Sequence, residues 1–302
     1  MLFLLLKTSY KENMKKLEVS KHGFYGIFHK AYNEKDNEKV VIVLGGSEGN
    51  EKIPMEIGRM FAENGISALG MCYWNVEGLP SSIVRVPLEP FEHAIEWLKK
   101  EGYKKIYIYG ISKGAELALL CASLMPNIIG VIAISPSHCV WGGINGNGSM
   151  FAKSFTEYSE FTWKGKDIPC IKVKTKYFRL FLNLIKEQQI NMCYLYENAL
   201  KNFDEAAAIR VEDIKGDILF IYPKEDTMWP SKVSVNYMME RLRKKHFTYQ
   251  VQSIEYERAS HILVPLNPSK LKMFKVERRY SDDCKKNRQE AFEKSVKWID
   301  EH

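Results

Sequence analysis

Apolar residues fall into two rhythms along this chain. Short continuous runs rich in β-branched residues alternate with stretches where apolar side chains recur every three or four positions. Val40-Val41-Ile42-Val43-Leu44 is the first such run. A run that is apolar at every position suits a strand buried on both faces, as in a parallel sheet. Gly45-Gly46-Ser47-Glu48-Gly49 follows it, and then helical spacing through Ile57, Met60 and Phe61. Ile66 to Tyr73 predicts the next strand. Leu88 to Lys99 predicts an amphipathic helix with Phe91, Ile95 and Leu98 on one face. Lys105 to Tyr109 is another short strand, running into Gly110-Ile111-Ser112-Lys113-Gly114 and a helix rich in Ala and Leu to Leu124. Strands follow at Gly130 to Ser135, Asp217 to Tyr222 and Thr248 to Tyr256, with helices over Ser231 to Lys244 and Asp282 to Asp300.

Strand alternates with helix almost throughout, which predicts an α/β fold on a mostly parallel, doubly wound sheet. The exception is residues 138–212, which open on a Gly/Asn-rich stretch and continue through Phe151, Phe155, Tyr158, Phe161 and Trp163. Helical patterns follow near 177–189 and 191–202. This stretch exceeds ordinary connections and is expected to be a cap inserted over the sheet.

A length of 302 residues allows one or two domains. The pattern favours one, residues 21–302, with residues 1–20 as an N-terminal extension. Met1-Leu2-Phe3-Leu4-Leu5-Leu6 is apolar but too short to span a bilayer. It has neither a basic region before it nor a small-residue cleavage site after it. Met14-Lys15-Lys16 is the expected natural start.

Composition narrows the classes. With 45% hydrophobic and 27% charged residues the chain is neither disordered, collagenous nor coiled coil. The net charge of +7 is spread out, with no dense basic block carrying interleaved aromatics, so nucleic acid is not expected as a partner. Six cysteines include no CxxC pair, which argues against a zinc knuckle or redox dithiol and for a reducing, cytoplasmic location. No His-Glu-x-x-His or comparable cluster points to a metal, and no membrane span or cofactor is expected.

The sharpest chemistry lies at Gly110 to Gly114. Gly-x-Ser-x-Gly between a strand and a helix is the signature of a nucleophile elbow. The turn is tight, and glycines on both sides let strand and helix approach. Ser112 is thereby exposed at the carboxyl end of the sheet, and the Lys113 amide sits at a helix N-terminus, ready for an oxyanion. The pentapeptide alone would arise by chance in roughly one chain in ten of this length; its strand-turn-helix context gives it weight.

A serine hydroxyl needs a base, and such folds use the order serine, acid, histidine. Of seven histidines, His261 follows the last expected strand, where a base belongs. The acid belongs after the preceding strand, at Pro223-Lys224-Glu225-Asp226, with Asp226 preferred and Glu225 the fallback. The loop at Gly45 to Gly49 is expected to give the second oxyanion donor, from the amide of Ser47 or Glu48, with Gly46 allowing close backbone approach.

Several segments together resemble one family. They are Gly110 to Leu119 (GISKGAELAL), Tyr73-Trp74-Asn75 through Leu79-Pro80, Val86-Pro87-Leu88-Glu89 with Phe91-Glu92, Glu225-Asp226 with Trp229, and Ser260-His261. They resemble acyl-CoA thioesterases of the bile acid-CoA:amino acid N-acyltransferase family, in their catalytic C-terminal domain, over about residues 40–300. The resemblance implies an α/β-hydrolase fold and a Ser112–Asp226–His261 triad acting on acyl-CoA thioesters. Full-length members carry an N-terminal β-sandwich domain, whereas about 40 residues precede the first expected strand here. Amino-acid-conjugating members use a cysteine nucleophile, so Ser112 favours hydrolysis. Ser260 stands where the family usually has glycine.

Phe155, Trp163 and Trp229 are the expected substrate-binding aromatics, and the charge of Lys113 is a candidate aid to an anionic CoA ester. Competing readings are a carboxylesterase or dienelactone-hydrolase-like enzyme acting on oxygen esters, an acyl-CoA:amino acid N-acyltransferase, and a hydrolase-fold binding protein.

Overall fold

The computed structural model describes residues 14–33, 36, 38–146, 154–174, 185–266 and 268–302. The expectations for residues 1–13, for Phe151 and for most of a helix at 177–189 fall outside the described residues.

Eight strands form the central sheet. In chain order they are β1 (Met14–Leu17), β2 (Tyr25–His29), β3 (Lys39–Leu44), β4 (Ser67–Cys72), β6 (Lys105–Ile111), β7 (Ile128–Ile134), β12 (Asp217–Pro223) and β13 (Val251–Tyr256). The spatial order is β1-β2-β4-β3-β6-β7-β12-β13. From β4 to β13 every pairing is parallel, while β1, β2 and β4 pair antiparallel at the other edge. The first expected strand is therefore the third, and residues 14–17 of the expected extension are hydrogen-bonded into the sheet.

Alternate residues of the central strands enter two separate cores. Val40, Ile42, Leu44, Ile106 and Ile108 join one, and Val41, Val43, Tyr107 and Tyr109 join the other. Continuous apolar runs are the sequence consequence of that double burial. Helices cover both faces: α2 (Lys52–Glu63), α3 (Glu89–Lys100), α4 (Lys113–Leu124), α6 (Ser231–Lys244) and α8 (Ser281–Glu301), with short helices α1 (Val19–His22) and α7 (Lys275–Arg279) at the periphery.

Between β7 and β12 the chain builds small sheets over the Gly/Asn-rich and aromatic stretch, for which no element was expected. Strand β8 (Gly142–Asn145) pairs with β9 (Ser154–Ser159), and β10 (Phe161–Trp163) lies between β11 (Lys166–Asp167) and β5 (Val86–Pro87). Helix α5 (Cys193–Leu200) fits the expected pattern at 191–202. Helix α5 enters a third core of Cys139, Trp141, Ile171, Tyr194, Leu195, Tyr196 and Trp229, with Phe155 of β9 packed against it, whereas Ile144 of β8 and Phe161 of β10 join the main core.

Candidate active site

Ser112 stands between β6 and α4 with φ 55° and ψ −119°, in a region that non-glycine residues seldom occupy. Two glycines make this turn possible by close approach. A Cβ on Gly110 would lie 2.0 Å from the Gly114 carbonyl oxygen, and one on Gly114 would lie 2.2 Å from that of Gly45. The Ser112 amide donates to Ile134 O at 2.9 Å, and its carbonyl accepts from the Ala115 and Glu116 amides. Such strain persists only where the surroundings over-determine the backbone.

The Gly45 to Gly49 loop meets this turn. A Cβ on Gly46 would lie 3.4 Å from the Ser112 Cβ. The Tyr73 hydroxyl donates to Gly46 O at 2.5 Å, fixing the loop from behind. Burial pushes that phenol well up, with the charge of Glu48 adding to the effect.

Asp226 and His261 follow β12 and β13, the last two strands of the sheet. His261 Nδ1 and Asp226 Oδ2 are 2.8 Å apart, and the two side chains are 3% and 2% exposed. Asp226 is held by the Met228 amide on Oδ1 at 2.9 Å and by the Ser231 hydroxyl on Oδ2. All of these are donors to the carboxylate, so Nδ1 carries its proton toward Asp226 and Nε2 is left as the acceptor. Glu225 is exposed.

Ser135 ties this pair to the elbow. It directly follows Ile134, the residue that accepts from the Ser112 amide, and its own hydroxyl donates to His261 O at 2.7 Å. Its carbonyl accepts from Trp229 Nε1 at 2.9 Å, and the Trp229 ring packs edge-on against the imidazole at 5.7 Å. Ser260 has a partner of its own: its hydroxyl donates to Glu277 Oε1 at 2.6 Å, while Glu277 Oε2 pairs with Arg288 at 2.5 Å, all buried.

Lys113 corrects one expectation. Its ammonium does not face solvent. It is 3% exposed and lies 2.5 Å from Glu160 and 3.1 Å from Glu116, both carboxylates fully buried. A cation consumed by two carboxylates inside the protein is not available to a CoA ester. The Lys113 backbone amide, by contrast, opens α4 as expected.

The expected aromatic lining disperses. Trp229 is beside His261, and Phe155 reaches it through Tyr196, in edge contacts of 5.9 and 5.7 Å. Trp163 lies on β10 against the main core, Phe161 is inside that core, and Tyr158 is exposed under the Arg85 guanidinium. Sequence reasoning missed Ser135, Ser231, Tyr196 and Glu160. The serines have no local motif, and Glu160 sits in a polar run that reads as surface. Among the described residues no cluster of His, Cys, Asp and Glu could hold a metal, and no helix is long and apolar enough to cross a membrane.

The family described as BAAT / Acyl-CoA thioester hydrolase C terminal matches residues 86–278. The chain is 26% identical to human acyl-coenzyme A thioesterase 1 over 209 residues, covering 68% of this chain and 45% of the relative. It is 27% identical to mouse mitochondrial acyl-coenzyme A thioesterase 2 over 209 residues, covering 68% of this chain and 41% of that one. The chain thus matches less than half the length of these curated relatives. A solved Klebsiella pneumoniae structure, provisionally assigned as a dienelactone hydrolase, superposes with a TM-score of 0.57 at 14% identity, over 96% of this chain and 98% of that one. That likeness shows the α/β-hydrolase fold.

Proposed function

The chain belongs to the BAAT / acyl-CoA thioester hydrolase C-terminal family, and from that premise we propose that it is a serine hydrolase cleaving acyl-CoA thioesters through an acyl-enzyme intermediate. The observation that carries this reading is the buried Asp226–His261 pair at the end of the sheet that also holds the Ser112 elbow.

In the proposed reaction His261 Nε2 takes the Ser112 hydroxyl proton as Oγ adds to the thioester carbonyl. The oxyanion is received by the amides of Lys113 and of the Gly46-Ser47 loop. A helix N-terminus and close backbone approach favour such donors. The C–S bond breaks, the thiol of CoA leaves with the proton from His261, and a serine ester remains. Water then adds to that ester, again losing its proton to His261, and the acid leaves as Ser112 recovers its hydrogen. Asp226 keeps the imidazole in the tautomer this requires and stabilises its cationic form. The segment between β7 and β12 acts as the cap, and Phe155 within it, together with Trp229 after β12, faces the substrate. The six cysteines, none joined in a disulfide, support a reducing, cytoplasmic setting.

Labelling with a fluorophosphonate tests the nucleophile, and the expected adduct is on Ser112. Absence of an adduct would favour a binding protein. A panel of acyl-CoAs and aryl esters, each with and without glycine or taurine, tests the acceptor. Free acid and CoA are expected from thioesters whether or not an amine is present. Conjugates in place of acid, or turnover of aryl esters alone, would overturn the thioesterase reading.

A further inference from the structure

The Lys113–Glu116–Glu160 cluster is out of proportion to a mere helix start. Three ionisable groups are taken out of water together, and burying a charge is unfavourable unless it is paired with good geometry. Two carboxylates share one ammonium, so the balance is uneven. Burial pushes the Glu160 carboxyl well above its ordinary range, and the charge of Glu116 adds to that push. Burial alone would lower Lys113, but Glu116 and Glu160 outweigh it and hold the ammonium in its charged form.

The three groups come from both sides of one boundary. Lys113 and Glu116 belong to α4, the helix opened by the elbow, whereas Glu160 lies between β9 and β10 in the cap. The Glu160 backbone is itself clamped: its carbonyl accepts from the Val86 amide at 2.8 Å, and its amide donates to Trp141 O at 3.3 Å. Glu116 Oε1 accepts from the Trp141 amide at 3.3 Å, closing the frame. The Lys113 ammonium also lies 5.0 Å from the centre of the Trp229 ring, the ring that packs on His261.

We propose that Glu160 is a positioning residue for the reaction: from the cap it holds the Lys113 side chain beneath the elbow and so fixes the Lys113 amide where the oxyanion forms. The proposal rests on the reading of Ser112 as nucleophile. The geometry gives it force. Ser112 is held at a positive φ, and the residue after it is the one whose side chain is pinned on two sides. A donor displaced by a fraction of an ångström loses much of its effect on a developing charge. The cap thereby acts on the chemistry itself, besides covering the substrate.

The test uses p-nitrophenyl acetate as substrate and fluorophosphonate titration to count active sites, with Glu160→Gln, Lys113→Met and the double variant. Glu160→Gln is expected to lower kcat per titrated site by about tenfold or more, with KM within about twofold. The inhibition constant of a trifluoromethyl ketone, which forms an oxyanion on addition, should rise by the same factor. If only the number of titrated sites falls, with kcat per site unchanged, the role is structural and the proposal is overturned. Should the single variant not fold, Lys113→Met/Glu160→Gln removes both members of the pair. It is expected to lose no more per site than Lys113→Met alone, because both changes break one link; additive losses would overturn the link. If the wild-type chain takes no label, the nucleophile reading fails and this proposal with it. That result is distinct from a labelled wild type with unaffected variants.

Discussion

Asp226 Oδ2 lies 2.8 Å from His261 Nδ1, with both side chains almost wholly buried. At that distance and burial the carboxylate decides which imidazole nitrogen carries the proton. Asp226→Asn presents an amide that satisfies the same space with the wrong hydrogen-bonding pattern. We expect kcat toward acyl-CoA to fall by roughly 10³–10⁴ with KM little changed. Steady-state kinetics on the purified variant will check this, and a loss under tenfold would remove Asp226 from its role.

Gly114→Ala attacks the elbow through geometry alone. The new Cβ would fall 2.2 Å from Gly45 O, a backbone atom that cannot rotate aside. The expected result is a loss of about 3 kcal/mol or more in urea unfolding, together with loss of fluorophosphonate labelling. A variant as stable and as reactive as the parent would mean that helix and loop are farther apart.

Ser260→Gly restores the residue usual in the family, yet here it should be harmful. The hydroxyl supplies one of the donors to the buried Glu277 carboxylate, and its removal should cost about 1–3 kcal/mol. The loop carrying His261 would lose its anchor at the adjacent residue, so kcat should fall several-fold. Thermal unfolding and kinetics measured side by side, with Glu277→Gln for comparison, settle the matter. Unchanged values in both would rule out the anchor.

Stability should decline on mild acidification because of two buried histidines. Burial lowers His29 to about 4, with the charge of Arg59 adding to the effect. Burial also lowers His138 to about 4, against the opposing influence of Glu205. In the unfolded chain both take up a proton near 6.5. Between about pH 6.5 and 4 the unfolded state therefore binds more protons, and stability rises with pH across that window. The stabilisation is complete above about 6.5 and disappears as pH falls toward 4, at most roughly 3 kcal/mol for each histidine. His138 packs against the rings of Tyr237 and Phe203 and bonds Ser234, so His138→Phe keeps the shape while removing the titration. Urea midpoints at pH 7 and pH 5 should differ less in this variant than in the parent; an equal difference would place the effect elsewhere.

The readable parts of this fold share a physical cause. Val40 to Leu44 and Ile106 to Ile108 are buried on both faces, so each residue had to be apolar and the strands announce themselves. Met14–Leu17 forms the sheet's edge with three of its four residues exposed, and Tyr25–His29 contains Gly26 and His29, so neither shows a strand's rhythm. The proposed triad of Ser112, Asp226 and His261 could be picked out as candidates because each sits just after a legible strand, in the order the fold requires. Glu160 was not, because what makes it special is a lysine brought to it by tertiary packing. The same packing turned Lys113 inward, against the reading of its charge as an aid to an anionic ester.

Placing the proposed nucleophile after β6 and the proposed base after β13 also sets an order in time. During synthesis the serine leaves the ribosome long before the histidine exists. Strand β13 pairs only with β12, so His261 reaches its place as the last edge of the sheet is laid down. On the proposed reading, a partly made chain holds the Ser112 hydroxyl unactivated until the far edge closes. In that reading the order of synthesis along the sheet is itself a safeguard against premature acylation.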